Sequence, residues 1–121
     1  GKLLENLVAI ELKRRSGTGD FSFFYWDNNN VECDFVGRNG RKFSLACQVC
    51  YDLNLSNRKR ETAGLAAACK ELGLCEGLIL TMDQEETFSV QGIRIAVTPV
   101  WKWLLVNPVK MGSESGSGLA F

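Results

Sequence analysis

The chain contains no histidine. That removes the commonest general acid–base near neutral pH and the commonest zinc ligand. It also carries no net charge, because 14 basic and 14 acidic side chains cancel. No global positive field draws it toward nucleic acid, so binding of that kind requires a local basic patch. No apolar run approaches the roughly 20 residues that span a bilayer, and no signal peptide is recognisable. A membrane partner is therefore not expected, and the cytoplasm is the expected compartment. No glycine-rich phosphate loop of the Walker type occurs, so ATP binding is not expected within these residues. The chain opens on Gly1 rather than methionine and reads as a piece of a longer protein, or one trimmed of a tag.

What is present fits one globular domain: 121 residues, 45% of them hydrophobic and 23% charged, enough to enclose a core. The five cysteines are an odd number without secretory features, which points to reduced thiols. Cys47 and Cys50 form a C-x-x-C. On a strand, positions three apart face opposite ways, so the pair reads as small buried apolar residues rather than a zinc or redox motif.

The stretch from Val31 to Tyr51 organises the rest. Two alternating runs, Val31–Val36 and Lys42–Tyr51, flank a connection at Gly37–Gly40 and predict a hairpin. Glu32, Asp34 and Val36 share one strand face. On the second strand Phe43, Leu45, Cys47, Val49 and Tyr51 share one face, and Ser44, Ala46, Gln48 and Cys50 share the other. That second face is small and polar, and sets a carboxylate near Gln48 and Cys50. It is the one place that reads as a site rather than a core.

Around it, Lys2–Arg15 predicts a helix with a broad apolar stripe of Leu3, Leu4, Leu7, Val8, Ile10 and Leu12. Glu11 falls inside that stripe and calls for either a paired carboxylate or a site role. Phe21–Trp26 is an aromatic strand, ended by a turn at Asp27–Asn30. A helix follows over Asn57–Leu72, capped by Ser56 or Asn57 and closed by Gly73. Its first turn carries Arg58, Lys59 and Arg60, which read either as a solvated face whose charges meet Glu61 and other acids or as a phosphate- or carboxylate-facing patch. Gly77–Met82 predicts a buried strand returning parallel by a right-handed crossover. Thr87–Val90 and Ile93–Thr98 predict a hairpin turning at Gln91–Gly92. A short helix then starts with Thr98 as cap and Pro99 at its first position, its tryptophans serving as a packing lid. Residues 106–121 have the Gly/Ser-rich composition of a flexible tail, which leaves 1–105 as the domain.

The order is helix, three strands, helix, strand: an αβββαβ core with a central mixed sheet flanked by helices, then a C-terminal hairpin and short helix. With Glu5-Asn6-Leu7-Val8, Glu11-Leu12, Tyr25-Trp26, Val31 to Val36, Gln48 to Leu53, and Pro99 to Leu105, the chain resembles the restriction-endonuclease-like PD-(D/E)xK superfamily. The closer resemblance is to the version attached to the C-terminus of prokaryotic AAA-type ATPases. It implies that the ATPase region of the parent chain is a partner. It also implies that Glu5 and Asp34, with the positions of Gln48 and Cys50, are the catalytic motif, holding Mg2+ or Mn2+. Two departures stand out. Gln48 occupies a carboxylate position, and Cys50 occupies the lysine position, where a thiol brings neither a hard oxygen nor a cation. With Glu5 and Asp34 alone, metal binding is expected to be weak or absent.

Three functions are compatible with this reading. One is a nuclease-derived module that has lost cleavage, with Arg58, Lys59 and Arg60 binding DNA. Another is an interaction or regulatory domain of an ATPase that touches protein only. The third is an active metal-dependent nuclease whose basic residue has migrated to Arg58 or Lys59.

Overall fold

A computed structural model describes residues 2–17 and 19–106. The elements are α1 (Lys2–Ser16), β1 (Phe21–Asn28), β2 (Val31–Asn39), β3 (Lys42–Val49), α2 (Arg58–Leu72), β4 (Glu76–Thr81), β5 (Glu86–Val90), β6 (Ile93–Pro99) and α3 (Val100–Leu104). The strands form one mixed sheet in the order β1-β2-β3-β4-β6-β5. β1, β2 and β3 run antiparallel, β4 lies parallel to both β3 and β6, and β5 returns antiparallel on β6. This is the expected mixed α/β sheet flanked by helices, with its C-terminal hairpin and short helix.

Local chemistry accounts for the turns. Asn29 and Asn30 both adopt positive φ, as do Gln91 and Gly92. Asparagine and glycine tolerate that region, and such two-residue turns match the twist of the strands they join. The turn between β2 and β3 lies at Gly40–Arg41, not across Gly37–Gly40 as expected, because β2 continues to Asn39. Gly73 closes α2 in the left-handed conformation, and the Leu74 N–H reaches back to the Cys69 carbonyl at 2.8 Å. That bond satisfies one of the carbonyls a helix end leaves free.

Each face of the sheet carries its own apolar layer. On one face Cys33, Val36, Ala46, Ile79 and Ile95 of the sheet pack with Leu65 and Cys69 of α2. On the other Cys47, Leu78 and Leu80 pack with Leu4, Val8 and Leu12 of α1 and Trp103 of α3. Cys47 and Cys50 therefore fall in opposite layers, as alternation along a strand requires. Burial pushes the Cys33 and Cys69 thiols up to about 12, which keeps them neutral. β4 is buried from Gly77 to Thr81, as befits a central parallel strand covered on both faces.

Several expectations are corrected. The buried face of α1 is narrower than predicted: Leu4, Val8, Glu11 and Leu12 are buried, whereas Leu3, Leu7 and Ile10 face solvent. A single sheet covers only one side of a helix, and the short α3 does not reach the other. Phe43 packs in the α2 layer rather than with Leu45 and Cys47, because the β2–β3 register slips between Gly37 and Arg38. The same kind of irregularity puts Cys33 and Val36 on one face, since Trp26 pairs with Cys33 while Phe24 pairs with Val36. The extra residue at Asp34–Phe35 breaks the expected alternation of Glu32, Asp34 and Val36. Thr98 stays in β6, and Pro99 itself occupies the cap of α3. Of the two tryptophans there, Trp103 is buried and Trp101 is exposed. Apart from Val106, the expected tail lies outside the described residues.

Candidate functional site

β2 and β3 pair from Asn39↔Lys42 to Phe35↔Cys47 and then part. Strands that diverge leave backbone groups without ladder partners, and buried backbone groups require partners. Side chains supply them here. The Gln48 amide oxygen accepts the Asp34 N–H at 2.8 Å, and an Asp34 carboxylate oxygen accepts the Val49 N–H at 2.8 Å.

Gln48 does more than bridge the gap. Its amide nitrogen donates to the Glu32 carbonyl at 2.9 Å and to the Glu61 carbonyl at 3.0 Å. The side chain is 3% exposed, and both of its N–H donors are in use. One amide thus ties β3 to β2 and to the first turns of α2. Gly64 allows this approach: a Cβ there would lie 2.0 Å from the Glu32 oxygen and 2.9 Å from the Gln48 amide nitrogen. The small, polar face of β3 is therefore not an open site, because α2 covers Ala46, Gln48 and Cys50.

Cys50 is buried at the end of this row. Its thiol donates to the Asp52 carbonyl at 3.3 Å and accepts from the Asn57 amide at 3.4 Å. Burial, then the Glu61 charge, raises its pKa and keeps it a neutral thiol.

Beside Gln48 opens a cleft of about 220 Å³ whose lining includes Glu32, Asp34, Glu61 and Arg60. Asp34 is pushed up to about 6, first by burial and then by the charges of Glu5, Glu61 and Glu32, against the Val49 hydrogen bond that lowers it. Glu5 is exposed in the first turn of α1, near enough to act on Asp34 by its charge but not part of the cleft wall. The Tyr25 phenol is pushed up to about 12 by desolvation and by Glu32.

The basic residues at the start of α2 do not form one patch, because successive helical positions point about 100° apart. Arg58 turns to β5, where Glu86 binds it at 2.9 and 3.1 Å and its guanidinium lies 4.4 Å over the Phe88 ring. Lys59 is exposed. Arg60 reaches the cleft, paired with Glu61 at 3.2 Å. Glu11 is held by Arg14 and Arg15, each at 2.7 Å, which gives this buried acid a structural partner set away from the cleft.

The donor set does not fit a hard divalent ion. The Gln48 oxygen is turned to a backbone N–H, one Asp34 oxygen is likewise engaged, and Cys50 offers soft sulfur. Among the described residues, no three of His, Cys, Asp or Glu converge on a metal position. Glu61 was legible in the sequence only as a counter-charge to its basic neighbours. Its place in the cleft depends on how α2 packs, which no local pattern encodes.

The family model described as "Domain of unknown function (DUF4143)" matches residues 1–103. An uncharacterized protein of Methanocaldococcus jannaschii is 37% identical over 111 residues, a match covering 87% of this chain and 25% of that protein. The chain spans about a quarter of the length of this curated relative.

Proposed function

We infer, for a chain that belongs to the DUF4143 family of domains of unknown function, that it is a nuclease-derived module without phosphodiesterase activity. It serves as a regulatory or docking unit of a longer, ATPase-type protein. The observation that carries this reading is the Gln48 amide. In a PD-(D/E)xK arrangement its position would be a metal-binding carboxylate. Here both amide N–H groups and the amide oxygen are spent on three backbone groups of the two neighbouring elements, β2 and α2. The buried neutral thiol of Cys50, where a lysine would stand, supports the same conclusion. The ATPase parent rests on the resemblance, and a relative about four times longer than the match accords with a multidomain protein.

The cleft also favours a protein-facing role over nucleic-acid binding. Three carboxylates, Glu32, Asp34 and Glu61, line it, and its one arginine is already paired. Such a surface repels phosphates. Incubating the chain with single- and double-stranded DNA and RNA in Mg2+ or Mn2+ tests the reading. The expected result is no product and no tight binding. Metal-dependent cleavage that Asp34→Ala abolishes would overturn the loss of activity. If that cleavage were lost in Arg58→Ala/Lys59→Ala, it would establish the migrated basic residue. Binding that weakens steeply with salt would overturn the protein-facing role instead.

A further inference from the structure

The parallel strands β3, β4 and β6 end side by side. The Met82 N–H donates to the Tyr51 carbonyl at 3.1 Å, and Thr81 pairs with Pro99, two residues before Trp101. This edge exposes three large side chains, Tyr51 at 56%, Met82 at 46% and Trp101 at 56%. Tyrosine, methionine and tryptophan are the types enriched where proteins meet, and exposed apolar groups gathered in one place mark such surfaces. The neighbouring charge is acidic. Asp52 follows Tyr51 and Asp83 follows Met82, both exposed, while Lys102 beside Trp101 is paired with Glu85.

We propose that this edge, built on Tyr51, Met82 and Trp101, is a docking surface for a protein segment that presents an apolar anchor flanked by lysine or arginine. The apolar trio supplies the area to be buried, and Asp52 and Asp83 select the charge. A second copy of this chain is the poorer occupant, because a two-fold contact would set Asp52 and Asp83 against the same acids. The inference does not rest on the nuclease-derived reading, since none of the three side chains lines the Asp34 cleft.

The test is titration of the full chain with a short amphipathic peptide of leucine and lysine, and with its counterpart carrying glutamate for lysine. Tryptophan emission reads the contact directly, because Trp26 and Trp103 are buried and Trp101 is exposed. The lysine peptide is expected to bind saturably and shift the emission to the blue, and the glutamate peptide is expected not to bind. Met82→Ala, read by emission, and Trp101→Ala, read by calorimetry because it removes the reporting ring, should each weaken binding about tenfold. Asp52→Asn/Asp83→Asn should weaken it and flatten its salt dependence. Equal binding of both peptides, no binding, or unchanged affinity in the Trp101 and Met82 variants overturns the proposal. So does self-association that Trp101→Ala removes, which would identify a second copy as the occupant.

Discussion

Gln48 and Asp34 complete each other's strands: the Gln48 side chain accepts the Asp34 N–H, and the Asp34 carboxylate accepts the N–H of Val49, the residue after Gln48. The pair acts as a two-rung extension of a ladder that the diverging β2 and β3 backbones no longer make. It couples the ionisation of one acid to the packing of α2.

That coupling makes Gln48 sensitive to isosteric change. Gln48→Glu keeps the shape but loses both N–H donors and faces two carbonyl oxygens with a charge. We expect it to cost about 3 kcal/mol, more than Gln48→Ala, because an unpaired buried charge costs more than a lost hydrogen bond. Urea denaturation of the three proteins checks the order. Equal stability of wild type and Gln48→Glu would show that the amide is not the tie.

Gly64 should tolerate no side chain. The Cβ of Gly64→Ala would meet the Glu32 carbonyl oxygen at 2.0 Å, a backbone atom that cannot swing aside. A cost of about 3 kcal/mol or more is expected as α2 is pushed from the sheet. Gly19→Ala, with nothing within 4 Å of its Cβ, is the contrasting control. Similar unfolding midpoints for the two variants would refute the close approach.

Asp34 sets a pH dependence of defined sign. It titrates near 6 in the fold, against about 3.9 in an unfolded chain. Between those values the folded state binds more protons, so its contribution to stability falls as pH rises from about 4 to about 6 and is flat above. Solvent in the open cleft limits the penalty to about 1 kcal/mol. Asp34→Asn, whose oxygen can still accept the Val49 N–H, should be more stable than wild type at neutral pH and should lack this slope. A variant less stable at neutral pH, with the slope intact, would count against the assignment.

Glu11 should behave in the opposite way. Its hydrogen bond from Arg14, and those and the charges from Arg15 and Arg14 together, hold its carboxyl below the usual range, against burial that raises it. It therefore contributes stability above the ordinary carboxylate pKa, lost as pH falls through the depressed value. Glu11→Gln leaves Arg15, which also donates to the Trp103 carbonyl at 3.2 Å and stacks 4.3 Å over that ring, without its anion. About 2 kcal/mol is expected, the exposed Arg14 keeping it at the low end. Thermal melts at neutral and acid pH should converge for the two proteins, and parallel curves would argue against the pairing.

Local pattern in the chain was enough for the element order. Helical and strand periods, the Asn29–Asn30 and Gln91–Gly92 turns, and Gly73 depend on residues within a few positions of one another. Strand alternation also placed Gln48 and Cys50 together on the polar face of β3. Tertiary structure alone decided what those residues do. The Gln48 amide is occupied by groups 13 to 16 residues away, and they reach it only because Gly64 lets α2 close on a bulged β2. The two irregularities that turned Phe43 and Val36 to the α2 side, and the entry of Glu61 into the cleft, were likewise decided beyond the local sequence. Side-chain direction follows the packing of whole elements, and a one-residue irregularity redirects it without leaving a mark in the local sequence.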